Sequence, residues 1–109
     1  MQTKKIEKLK KQLAAAKAQL QRVGPMRPGT LSQQYKDPKA KTGAYWQLSY
    51  TYQMKSRTKY VRPEEVKYVG TLVANFKRFR RLCERCVDLS LRLADLRIEL
   101  NRSAPHHQD

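Results

Sequence analysis

Apolar residues near the start of the chain recur at alternating intervals of three and four: Ile6, Leu9, Leu13, Ala16, Leu20 and Val23. That spacing predicts a helix with a heptad seam over about residues 3–23. Alanines at 14–16 and 18, strong helix formers, fill it out. Lys4, Lys5, Lys8, Lys10, Lys11 and Lys17 lie between the seam positions. Residues 1–24 therefore read as a basic heptad helix, marginal alone and in need of a partner helix from its own C-terminal half or from a second subunit. Gly24-Pro25-Met26-Arg27-Pro28-Gly29 ends it, because glycine suits a helix C-cap and proline cannot continue the hydrogen-bond ladder.

The period then changes to two. From Trp46 to Gln53 large apolar and polar residues alternate strictly, the pattern of a half-buried strand. Thr30–Lys36 and Arg57–Val61 are weaker strands on either side, joined by a loop at Asp37–Gly43 and a turn at Gln53–Ser56. Residues 25–62 thus predict a three-stranded antiparallel meander. Trp46, Leu48, Tyr50 and Tyr52 would share one face with Thr58 and Tyr60. Tyr45, Gln47, Ser49 and Thr51 would share the other with Arg57 and Lys59. Trp46, Leu48 and Tyr50 are expected to be core against a helix.

Pro63-Glu64-Glu65 opens the last element, residues 63–102, with proline at the first helical position and two acids at the positive end of the helix dipole. Its apolar series runs Val69, Leu72, Phe76, Phe79, Leu82 or Cys83, Cys86, Leu89, Leu93, Leu96, Leu100, with a stammer-like step near Phe79–Leu82. At ~1.5 Å per residue the helix would reach roughly 55 Å, so coiled-coil pairing is expected. Residues 103–109 read as a disordered tail. The fold class is α+β: an N-terminal helix, a meander and a long C-terminal helix with coiled-coil character.

Charge sharpens this picture. The chain carries 24 Lys and Arg against 9 Asp and Glu, a formal +15 over 109 residues. Residues 1–62 hold 15 basic and 2 acidic side chains, +13, and residues 63–109 hold 9 and 7, +2. Within the second half, Lys67–Arg85 has 6 basic residues against Glu84 alone. So large an excess repels itself and implies an anionic partner, of which nucleic acid is the commonest and an acidic membrane surface the main rival. No apolar run approaches the ~20 residues of a membrane span, and the basic N-terminus lacks a secretory apolar region. The Ile6–Val23 helix is amphipathic but has no Trp or Phe to insert, which argues against a membrane partner. A cytoplasmic, reducing location is expected.

At about 100° per residue, Lys67, Lys77, Arg78, Arg81, Arg85 and Arg92 fall within roughly a third of the helix circumference, across from Phe76, Phe79, Cys83 and Cys86. One face can pack while the other meets phosphates, and arginine's guanidinium fork grips phosphate oxygens in pairs. A solvated helix face is the alternative. Lys55, Arg57, Lys59 and Arg62 extend the candidate nucleic-acid-binding set to the sheet. Cys83-Glu84-Arg85-Cys86 is half of a zinc motif, but both cysteines fall on the apolar stripe and no second pair exists. They are expected to be core, with a metal shared between subunits as the alternative. No nucleophile–base pair, glycine-rich phosphate loop or acidic metal cluster is present in the sequence, so neither an enzyme nor a cofactor is expected.

Gly29-Thr30-Leu31, Tyr35, Gly43-Ala44-Tyr45-Trp46-Gln47-Leu48-Ser49-Tyr50 and Lys55-Ser56-Arg57-Thr58-Lys59-Tyr60-Val61 resemble a small bacterial domain-of-unknown-function family, often encoded among transposon and phage genes. Its pattern is G-[ST]-L, a short loop, G-x-Y-[WY]-x-L-S, then K-x-R-x-x-x-V entering a long helix. The resemblance covers roughly residues 27–100. Many relatives carry a cysteine cluster in the first loop. Asp37–Thr42 has none, and Ala44 follows Gly43 where they have proline, which leaves a family metal role without its ligands here. The resemblance implies a mobile-element setting and no established activity.

The expected function is sequence-light nucleic-acid binding, DNA before RNA, as an accessory component of a mobile-element or phage nucleoprotein complex, in a homodimer or larger assembly. The alternative is a coiled-coil adaptor whose Leu82–Leu100 seam docks on a protein such as a recombinase, without intrinsic nucleic-acid binding.

Overall fold

The computed structural model describes residues 2–103. Its elements are α1 (Gln2–Gln21), β1 (Thr30–Asp37), β2 (Thr42–Tyr52), β3 (Lys55–Val61), a 3₁₀ turn at Pro63–Glu65 and α2 (Val66–Ser103). The α+β architecture agrees with the sequence pattern element by element. The helix runs through Ser103, and the remainder of the expected tail lies outside the described residues. No helix among the described residues is long and apolar enough to cross a membrane.

Two compact units are present. One spans Val23–Arg78 and holds the sheet with the opening turns of α2; the other joins α1 to α2 from Phe79 onward.

In the sheet unit the strands form an antiparallel meander in the order β1-β2-β3. Leu48 is the centre of the core, 1% exposed, and packs with buried Val61 and Val73. Leu31, Trp46, Tyr50, Val66 and Val69 close around them, so Trp46, Leu48 and Tyr50 are core as the alternation predicts. The segment before β1 is tied to α2. The Arg27 N–H donates to the Leu72 carbonyl at 3.2 Å, and Asn75 Nδ2 donates to the Pro25 carbonyl at 2.8 Å.

The face assignment of β3 is a correction. The register pairs Leu48 with Lys59, Tyr50 with Arg57 and Tyr52 with Lys55. Directly opposed residues project to the same side of a sheet. Lys55, Arg57 and Lys59 therefore share the face of Trp46, Leu48 and Tyr50, while Ser56, Thr58 and Tyr60 share the face of Gln47, Ser49 and Thr51. Thr58 and Tyr60 could sit beside the even-numbered residues of β2 only if an odd number of residues linked the strands. The link is two residues, Gln53 and Met54, and β3 starts at Lys55, inside the turn expected at Gln53–Ser56. Their φ angles of 52° and 65° are those of a type I′ hairpin turn. Nothing in Gln-Met announces one, since such turns favour Asn-Gly. The first loop is also shorter than expected: Asp37 pairs with Thr42, and the Ala40 N–H donates to Asp37 Oδ1 at 3.2 Å across it.

In the helical unit the heptad seam is the buried one. Ile6 and Ala16 of α1 are buried, Leu9, Leu13 and Leu20 half-buried, and the lysines between them are exposed. Leu89 and Leu93 of α2 are buried in the same unit, and Gln2 Nε2 donates to Glu99 Oε1 at 3.1 Å. Gln2 beside Glu99, with Leu9 and Leu96 lining one shared groove, sets the two helices antiparallel. The partner that the α1 seam calls for is thus the chain's own C-terminal half.

Candidate functional site

Alternation along β3 aims Lys55, Arg57 and Lys59 to one side, and all three are exposed. They occupy the front face, beside the core but not covered by it; of the front-facing β3 residues only Val61 is buried. Arg62 follows the strand. Its backbone N–H donates to Glu65 Oε1 at 3.3 Å and its carbonyl accepts from the Glu65 N–H at 2.8 Å, which caps the entry to α2 and leaves the residue exposed. Lys67, Lys77 and Arg78 are exposed on the turns of α2 within the sheet unit.

In the helical unit Arg81 and Arg85 are exposed, and so is Arg80, which the phase argument left out. Phe79, Cys83 and Cys86 are half-buried there, and Phe76 likewise in the sheet unit, while Lys77 is exposed one turn beyond buried Val73. Arg92 differs from the others: it forms an i,i+4 ion pair with Asp88 at 3.2 Å. None of the nine candidate side chains, Lys55, Arg57, Lys59, Arg62, Lys67, Lys77, Arg78, Arg81 and Arg85, forms an ion pair with an acid among the described residues. The Lys10–Glu7 pair lies on α1, away from this set in sequence.

Cys83 and Cys86 are half-buried free thiols on the apolar stripe. Among the described residues no group of three or more His, Cys, Asp or Glu side chains is placed to hold a metal ion. The histidines at 106 and 107 lie outside the described residues.

Further local features surround these positions. Arg27 is half-buried, its guanidinium 4.6 Å from the Tyr50 ring centroid and its Nε donating to the Pro28 carbonyl at 3.4 Å, so this cation packs instead of facing solvent. The back of the sheet is a hydroxyl and amide surface, with Thr51 and Ser56 hydroxyls 3.0 Å apart across the strands and Gln47 Nε2 donating to Ser49 Oγ at 3.3 Å. Lys36, Tyr45 and Tyr60 line a depression at one end of that back face. Finally, Tyr52 and Met54 stand in solvent at the β2–β3 turn. Tyr52 lies on the face of the core residues Trp46, Leu48 and Tyr50, yet it is 63% exposed.

A family model described as a domain of unknown function, DUF6788, matches residues 3–70. The match takes in α1, the whole sheet and the first turn of α2, so it begins before the stretch that the sequence motifs outline and stops well short of its end. No curated protein and no solved structure matches the chain.

Proposed function

We propose that this chain, which belongs to the DUF6788 family of unknown function, binds nucleic acid chiefly through the phosphate backbone, DNA before RNA. One observation carries this: nine basic side chains of β3, Arg62 and α2 are all exposed, and none forms an ion pair with an acid among the described residues. An unpaired cation on an exposed face is ready to release the counterions of a polyanion, and that release drives phosphate binding. The formal +15 supplies long-range attraction in the same direction. The role that fits is an accessory component of a mobile-element or phage nucleoprotein complex, the setting that the motif resemblance implies, with a reducing cytoplasm as the location the sequence reading favours.

A salt series tests it. Measured by fluorescence anisotropy between ~50 and 200 mM salt, affinity should fall by orders of magnitude, with a log–log slope near −0.9 per phosphate contacted on duplex DNA. A flat dependence sinks the proposal.

A second reading, docking on a protein, draws on a different observation. Leu89 and Leu93 are buried inside the helical unit and cannot dock on anything else, but Val87 and Leu91 of α2 are 67% and 61% exposed, with Ile98 continuing their stripe. Two large aliphatics this exposed on one helix mark an interaction surface better than a folding one. A purified chain that binds no nucleic acid at low salt would give this reading precedence.

A further inference from the structure

The β2–β3 hairpin runs past the end of its sheet. β1 begins at Thr30, opposite Ser49, so Tyr50–Tyr52 and Lys55–Arg57 pair only with each other, as a two-stranded arm. Every residue from Thr51 to Arg57 is exposed. At the tip, Gln53 and Met54 hold left-handed φ angles that side-chain-bearing residues rarely adopt. Met54 is 98% exposed. A hairpin built only for folding would place Asn-Gly there. Methionine instead adds backbone strain and a solvent-facing apolar side chain, and gives the fold no packing in return. Local strain with no structural benefit is what a functional tip looks like.

The surroundings of Met54 narrow its partner. Lys55 and Arg57 flank it on the front face, Tyr52 stands beside it 63% exposed, and no acid occurs in the sequence between Asp37 and Glu64. An apolar tip on a narrow, purely basic ribbon matches the devices by which proteins grip and bend duplex DNA. Two-stranded ribbons are used in the minor groove as well as the major, and a Met, Leu, Phe or Pro side chain slides between base steps there.

We propose that the β2–β3 arm enters the minor groove of duplex DNA, with Lys55 and Arg57 on the bordering phosphates and Met54 wedged between adjacent base pairs, bending the helix. This rests on the nucleic-acid reading above and narrows it to duplex DNA. Methionine's flexible, polarisable thioether suits a gap opened between stacked bases. Duplex RNA closes its deep major groove to side chains and offers a shallow minor groove that grips no arm. A single strand has no duplex to bend.

The test uses the full chain and an end-labelled duplex of about 20 base pairs, long enough to report a bend. Anisotropy reads affinity and energy transfer between the ends reads bending. The wild type should bring the ends together on binding, and bind duplex DNA more tightly than duplex RNA or single strands of equal length. Met54→Gly suits the left-handed turn and should melt at or above the wild-type temperature, yet bind roughly tenfold more weakly and lose the bend. Met54→Ala should lose the bend too. Neither should alter the salt slope, because no phosphate contact is removed. Wild-type bending by Met54→Gly, wild-type binding without bending, or equal affinity for single strands or duplex RNA would each overturn the wedge and leave phosphate binding standing. Absence of binding to every nucleic acid would remove both.

Discussion

Gly29 sits at φ 146°, and a Cβ there would lie 2.6 Å from Leu48 Cδ1 and 3.2 Å from the Ser49 carbonyl oxygen. Leu48 is the most deeply buried side chain and has nowhere to retreat. Gly29→Ala should therefore cost about 2–4 kcal/mol, from backbone strain and forced repacking together. Urea denaturation measures this directly, and a loss under ~0.5 kcal/mol, the range of an unremarkable surface change, would contradict it. The Gly-Thr-Leu motif was legible in the sequence, but its reason was not. Only the fold brings the glycine backbone onto a leucine nineteen positions along. The β2–β3 link teaches the same lesson. Two residues instead of an odd number decide that Arg57 and Lys59 stand on the front face, and Gln-Met carries none of the usual signals of a two-residue turn.

Among the elements, the helices were the easiest to read and their partners the hardest. Heptad spacing selects Ile6, Ala16, Leu89 and Leu93, and all four are buried. A seam says only that a helix needs a neighbour, however, and the same leucines could have joined two chains. Their burial against α1 changes what a mutation there tests. Leu89→Ala should cost about 2–4 kcal/mol of stability through the cavity it leaves, while the salt slope of nucleic-acid binding stays as in the wild type. Leu91, two positions on and 61% exposed, provides the contrast. Leu91→Ala should shift stability by no more than ~0.5 kcal/mol in the same denaturation assay. Equal losses at the two positions would show that the assignment of faces on α2 is wrong.

For the molecule as a whole, the proposed partner follows from charge, and folding governs how that charge is presented. Replacing Lys55, Arg57 and Lys59 together with alanine removes three exposed cations that contribute no packing to the core. The log–log salt slope should shrink by about three units, with thermal stability close to wild type. An unchanged slope would move the binding surface off β3. The excess of 24 basic over 9 acidic residues, the two helical periods and the strict alternation from Trp46 were set by the sequence alone. Each is local or additive, and so needs no knowledge of which segments meet. Tertiary structure decided which helix fills the α1 seam, which face of the sheet carries the β3 cations, and that Met54 ends in solvent on a two-stranded arm. Those outcomes depend on turn length and on contacts between distant segments, neither of which a hydrophobic pattern encodes.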